Sequence, residues 1–507
     1  VLFRSIVEIS SSSLTTIAGL AALTLMQFRL GYDMGIVLAK GIICSMITVF
    51  LLMPGLIMMF PRMLKKTEHK NFVPKISGWG KFLGRTKILF VVIFLLMIPA
   101  AIYCSGKTEY AFADGTIDEL VYSESRAAMH KINDTFAPDT AVAIMVPAGD
   151  FEKEKAILKE VEALQDVKSA TGLANIEIDD DLYLTDRVNP RKFAELLNID
   201  IEQAQLLYQA YGVQHEEYQA LMKPSSYEVP LVDMFLYMFE KSDQGIFELD
   251  EEQSSEMNDL RKTLERAVEL LRGEKWDRMV LTSSLPAEGG ESVALVEKIH
   301  EIADKYYDGE EVLVTGDITS ARDLRESYSS DSVLISILTA AFVFIILLLT
   351  FRSLAGAVIL VFVIQGSIWI NFSFPFLTGT HVSFVTNMIV SAIQMGATID
   401  YAIVLMSRYL ALRDSFDKRD AMARAVSESF PTVITSGSIL TMAGFLIAYR
   451  ISDVYVGHIG LAVGRGALIS VILVLTVLPQ LLVLFDKAIS KTTFRINLFP
   501  GKRGEDT

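Results

Sequence analysis

Two cysteines, Cys44 and Cys104, leave no disulfide framework, because each lies within or at the end of an apolar stretch. Histidine is scarce as well: His130, His215 and His300 are scattered through the middle of the chain, without the spacing of zinc ligands. No P-loop, dinucleotide-binding glycine fingerprint or nucleophile elbow occurs. These absences remove the common phosphate-, nicotinamide- and serine-dependent enzyme classes. The acidic runs at 177–181 and 248–256 lack the glycine and ligand spacing of a calcium loop and read as solvated surface. Nothing calls for a bound cofactor or a nucleic-acid partner.

Apolar side chains are what the sequence has in abundance: 51% of the residues are hydrophobic and the mean hydropathy is +0.38. A helix needs about 20 apolar residues to cross roughly 30 Å of hydrocarbon, because every backbone polar group there must be bonded within the helix. Runs at 9–26, 34–60, 88–104, 332–351, 354–372, 382–407 and 430–485 meet that requirement, the last as two helices broken near 450–456. Eight transmembrane helices and a polytopic α-helical membrane protein are expected.

Between the third and fourth of these helices, residues 105–330 hold 48 acids against 22 bases, whereas the remainder holds 13 against 24. Short loops rich in Lys and Arg stay cytoplasmic, while long domains translocate largely regardless of charge. The 61–87 loop carries Arg62, Lys65, Lys66, Lys70, Lys75, Lys81, Arg85 and Lys87 against one acid, Glu68. It sets the inside. The turn at Arg352, the loop from Arg408 to Arg424 and the tail with Lys487 and Lys491 then alternate onto the same side. Residues 105–330 are thereby expected to be extracytoplasmic, in a protein of the cytoplasmic membrane.

Within that segment, apolar runs at 140–146 and 167–173 flank an amphipathic stretch at 151–164, and runs at 278–282 and 311–314 flank another at 293–306. Residues 190–272 read as mostly helical, broken at Pro224 and Pro230. The expectation is an α+β domain built from two βαβ units and a helical insertion.

Residues 9–60 match 434–485 without gaps at an offset of 425, and the identities fall on structural residues: Ser11 with Ser436, Thr16 with Thr441, Gly19 with Gly444, Gly35 with Gly460, Gly41 with Gly466 and Pro54 with Pro479. Repeated halves are a common transporter plan. The organisation this predicts is 1–60 as the last two helices of a first repeat and 61–87 as a cytoplasmic basic linker. The second repeat opens with the 88–104 helix, followed by the domain at 105–330, five helices at 331–486 and a cytoplasmic tail at 487–507. A chain that opens without Met, with most of one repeat upstream of it, is expected to be a truncated product whose partner is its missing N-terminal half.

The segment Gly396-Ala397-Thr398-Ile399-Asp400-Tyr401 places an ionisable carboxyl in an apolar helix, where Asp costs on the order of 2.5–3.5 kcal/mol on insertion scales. Such a residue needs a partner or a task. A carboxyl in apolar surroundings also exchanges its proton closer to neutral pH. Gly396 lies one turn before Asp400 and lets another helix approach. Asn387, Ser391, Gln394, Thr398 and Tyr401 form a polar stripe, and Tyr401 is positioned to bond an acid on a neighbouring helix. Thr432, Thr435 and Ser436 on the next helix offer hydroxyls for a relay, although hydroxyls in membrane helices also simply bond back to their own carbonyls.

The string GATIDYAIVLMSRY resembles the fourth and tenth membrane helices of RND-superfamily, MMPL-like permeases, and ITSGSILTMAGF and SSSLTTIAGLAAL resemble the helices that follow in each half. The resemblance implies that Asp400 and Tyr401 belong to a proton relay, supported by Gly396, Thr398, Thr432, Thr435 and Ser436. It also implies export of lipidic or amphiphilic molecules on the proton gradient, with no other cofactor and with oligomerisation left open. A sterol-sensing or Patched-like lipid receptor and a SecD/SecF-like protein-export accessory are the alternatives the same residues leave open.

Overall fold

The computed structural model describes residues 2–26, 29–67, 76–136, 139–179, 181–215, 227–244, 251–308 and 311–494. It separates into two units, residues 1–128 with 324–507, and residues 129–323. The acidic runs at 177–181 and 248–256 and the C-terminal tail lie partly outside the described residues. In chain order the principal helices are α1 (Leu2–Ala22), α2 (Arg29–Met59), α3 (Ser77–Thr86), α4 (Leu89–Gly106), α5 (Phe151–Glu162) and α6 (Gly290–Ala303). They continue with α7 (Asp317–Phe351), α8 (Leu354–Thr378), α9 (Phe384–Arg413), α10 (Lys418–Arg450) and α11 (Val454–Leu484).

Among the described residues seven helices, α2, α4 and α7 to α11, are long and apolar enough to cross a membrane. Eight were expected. The eighth falls on α1, whose described apolar part, Ser13–Leu25, is shorter than a crossing. Helices of this number, length and composition are those of a multi-pass membrane protein.

Local chemistry sets where the helices turn. Ser353, Ser383, Asp417 and Asp453 cap α8, α9, α10 and α11, each side chain accepting from a backbone N–H two or three residues on at 2.9–3.4 Å. Gly379 ends α8 with φ +65, a left-handed cap that favours glycine. The core between α4, α8, α9, α10 and α11 is filled by Phe94, Leu360, Ile364, Ile399, Met406 and Val474, all buried.

Between α10 and α11 the backbones touch. A methyl added at Gly444 would stand 2.5 Å from Gly464 N and 2.6 Å from Gly460 O, and one added at Gly460 would stand 2.8 Å from Gly444 O. Gly35, which matches Gly460 at the offset of 425, meets α1 in the same manner, 2.9 Å from Leu20 O.

The 129–323 unit holds a four-stranded antiparallel sheet of β1 (Thr140–Pro147), β2 (Val167–Thr171), β3 (Trp276–Ser283) and β4 (Leu313–Gly316). The order is β2-β3-β1-β4. Helix α5 joins β1 to β2 and α6 joins β3 to β4, yet neither unit pairs its own strands, because each receives a strand of the other between its two. Pairing of β1 with β3 along eight residues, from Thr140 with Ser283 to Pro147 with Trp276, locks the two units together. This is the split βαβ arrangement. Alternate residues of β1 and β3 point into a core with Ile157 and Leu158 of α5 and Ile299 of α6. Helices Pro190–Leu197, Ile201–Gln214, Leu231–Asp243 and Glu251–Leu271 follow β2 and carry a core of their own around Phe193, Tyr208 and Phe235.

Candidate functional site

Asp400 lies half-buried on α9, and Tyr401 beside it is only 3% exposed. One turn earlier, α1 presses directly on α9. Thr16 Oγ1 donates to Gly396 O at 3.1 Å, and a methyl added at Gly396 would stand 2.9 Å from Thr16 Cα. The narrow face predicted for Gly396 therefore serves the approach of α1.

Tyr401 faces α10, where a methyl at Gly437 would lie 3.8 Å from its Cζ and Ser436 is the side-chain hydrogen-bonding neighbour of its hydroxyl. An acid on a neighbouring helix, the partner expected for Tyr401, is instead found by Tyr409, two turns on. The Tyr409 hydroxyl donates to Asp486 at 2.6 Å, and Arg413 donates to the same carboxylate at 3.1 Å. Tyr401 and Ser436 are thus brought together where α9 meets α10, and Asp400 precedes Tyr401 on α9. The Thr398 hydroxyl donates to Gln394 O in its own helix at 2.7 Å. Thr432, Thr435 and Ser436 all lie on an exposed face of α10.

The rest of the polar stripe leads to residues that the sequence did not single out. Gln394 Oε1 accepts from Asn371 Nδ2 at 2.9 Å, and its Nε2 donates to Ser367 Oγ at 3.0 Å and toward Ser470 Oγ at 3.4 Å. Asn371 also donates to Ala462 O at 2.9 Å and accepts from Arg465 Nε at 2.7 Å. The guanidinium of Arg465 stacks on Phe374, 4.8 Å from the ring centroid. Asn371, Gln394, Ser367 and Ser470 are all buried, so α8, α9 and α11 are knotted by polar groups at membrane depth. Gly466 makes room, since a methyl there would stand 2.3 Å from Gln394 Oε1. One signal pointed this way: Arg465-Gly466 falls on Lys40-Gly41 at the repeat offset, a cation at the same place in two apolar helices.

A cavity of about 480 Å³ opens between α4, α7, α8 and α9. Its lining mixes hydroxyl and amide side chains, Ser105, Ser332, Ser336, Asn387 and Ser391 among them, with apolar ones such as Ile102, Val333, Trp369 and Phe372. None of its lining residues is charged. A lining of both hydroxyl and apolar side chains suits a molecule that carries polar and hydrocarbon parts.

In the 129–323 unit, Glu154 and Asp277 are each 1% exposed and face one another. Glu154 Oε1 and Asp277 Oδ1 meet no other donor, as in two carboxyls sharing one proton, while Asp277 Oδ2 accepts from Gly149 N at 2.9 Å. Burial first, and Asp277 second, push the Glu154 carboxyl up to about 9.

The model of the MMPL family matches residues 274–498, which include α7 to α11 and all of the α9 site. Residues 274–498 belong to the MMPL family. With them the chain is an MMPL-like, RND-type membrane protein. It is similar to the membrane protein ActII-3 of Streptomyces coelicolor, 30% identical over 185 residues, which is 36% of this chain and 26% of that protein. It is also similar to the transport protein MmpL12 of Mycobacterium tuberculosis, 28% identical over 176 residues, 34% of this chain and 15% of that protein. The match thus spans about a quarter or less of the length of these two relatives.

Proposed function

We propose that this chain is part of a proton-driven exporter of lipidic or amphiphilic molecules across the cytoplasmic membrane, in which Asp400 takes up and releases the proton and Tyr401 links it to Ser436 on α10. The observation that carries this reading is a half-buried carboxyl within an apolar helix, beside a buried tyrosine at a helix crossing. A charge so placed is costly, and its neutralisation changes which packing of α9 against its neighbours is stable. The uncharged cavity between α4, α7, α8 and α9 supports an amphiphilic cargo, and the likeness to the transport protein MmpL12 supports a transport role. The residues of 105–330 would then face away from the cytoplasm, and a second relay helix would come from an N-terminal half.

Asp400→Asn in the complete permease tests the reading, because it keeps shape and hydrogen bonding while removing titration. Transport should be abolished with membrane insertion unchanged, and Tyr401→Phe should leave partial activity. Full transport by the Asp400→Asn permease would refute the assignment.

A further inference from the structure

We propose that the basin between α3, α10 and α11 binds the headgroup of an anionic phospholipid. The cavity measures about 240 Å³, and its charged lining is Lys87, Lys418 and Arg419, with no carboxylate among the lining residues. Asp417, beside Lys418 in sequence, is engaged in capping α10 at Arg419 N, 3.4 Å away. Asp486, held by Tyr409 and Arg413, acts on Lys418 from outside the lining, and a basin with three cations and no carboxylate in its wall attracts a phosphate diester.

The basin is built on fixed walls. Trp79 Nε1 of α3 donates to Leu475 O at 3.0 Å, and a methyl at Gly80 would stand 2.6 Å from Ala423 Cα, so α3 lies hard against α10 and α11. Buried Gln480 straps the far end of α3: its Nε2 donates to Thr86 Oγ1 at 3.0 Å and its Oε1 accepts from Phe90 N at 3.0 Å. Between the cations the floor is apolar, formed by Leu83, Met422 and Val483. Ile88, Leu89, Leu484 and Phe485 continue that surface outward as exposed apolar side chains. A free anion would leave this apolar half wet, whereas a lipid covers it with acyl chain while its phosphate meets the three cations. The occupant is therefore a lipid. This site goes beyond the proposed transport reading and stands or falls without it.

The test uses the purified chain in neutral detergent, with lipid retention followed by native mass spectrometry and by thermal stabilisation. Phosphatidylglycerol should be retained in preference to phosphatidylcholine. The variant Lys87→Gln/Lys418→Gln/Arg419→Gln should bind phosphatidylglycerol at least about tenfold more weakly, as loss of three cations at a membrane surface implies. Gly84→Leu should do the same with every charge in place, since Gly84 lines the basin and a methyl there meets nothing within 4 Å. It decides the matter if the triple variant fails to fold. Arg62→Gln/Lys65→Gln/Lys66→Gln, on an exposed helix outside the basin, should bind as the parent does. The proposal is overturned if both basin variants keep the preference or if the outside variant loses it equally. Inorganic phosphate that displaces the lipid or stabilises the protein as well as the lipid does would make this a free-anion site and overturn it too.

Discussion

Thr16 of α1 donates its hydroxyl to the backbone carbonyl of Gly396 on α9, 3.1 Å away, with both residues buried. A membrane helix crossing this close leaves no space for a side chain on the α9 side. The position of Asp400, one turn further, is thereby tied to α1.

Gly396→Ala should therefore push α1 off α9, because its methyl would stand 2.9 Å from Thr16 Cα. Overpacking of this kind costs about 1–3 kcal/mol. Thermal unfolding in detergent should show the loss, while Gly41→Ala, inside α2 where a methyl meets nothing within 4 Å, should not lower the transition.

The charge split gives a topology prediction. In a Cys44→Ser/Cys104→Ser background, a membrane-impermeant thiol reagent added to intact cells should label Gln203→Cys and spare Thr67→Cys, both at exposed positions. The reverse pattern would place 105–330 inside the cell.

The Glu154–Asp277 pair predicts how the sheet responds to pH. The folded chain holds the Glu154 proton up to about 9, whereas the unfolded chain releases it near the ordinary value of 4.5. The stabilisation is therefore fully present below about 4.5 and is lost as pH rises through about 9. Hydrogen exchange along β3, corrected for intrinsic rates, should show protection falling across that interval, and Glu154→Gln should flatten the dependence. Constant protection in the parent would rule out a shared proton.

The knot of α8, α9 and α11 predicts strong coupling. Asn371→Leu leaves Gln394 Oε1 and Arg465 Nε without the partners they have at 2.9 and 2.7 Å. Each buried group so stranded costs about 1–3 kcal/mol. The double variant Asn371→Leu/Arg465→Leu should be less destabilised than the sum of its single variants, because the cation and its partner leave together. Additive losses in denaturant titrations would show that the two residues do not act on each other.

How much of this was legible in the sequence depends on how far apart the contacting residues lie. Uncharged length marks a membrane helix locally, so α2, α4 and α7 to α11 were readable, while the serine-rich start of α1 blurred the count. Alternation marks β1 and β3 as strands but says nothing of their neighbours; that Thr140 pairs with Ser283 is a fact about two segments more than a hundred residues apart. Asp400 stood out because a carboxyl in an apolar run is anomalous by itself. Asn371 and Ser367 did not, since lone amides and hydroxyls are ordinary in membrane helices and gain meaning only against Gln394 and Arg465. Tyr401 was given an acid by analogy with its hydroxyl's capacity, and the geometry of α10 offers Ser436 in its place.

The glycine seam of α10 and α11 has a mechanical consequence. Where side chains separate two helices, rotamer changes absorb small displacements as a cushion would; with Gly444, Gly460 and Gly464 in backbone contact there is no cushion at that crossing. The pair behaves as a stiff lever. A shift of α10 driven from its Ser436 side would reach α11 undamped, and Arg465 and Gly466, one and two residues beyond the seam, would carry it to Gln394 at full stroke.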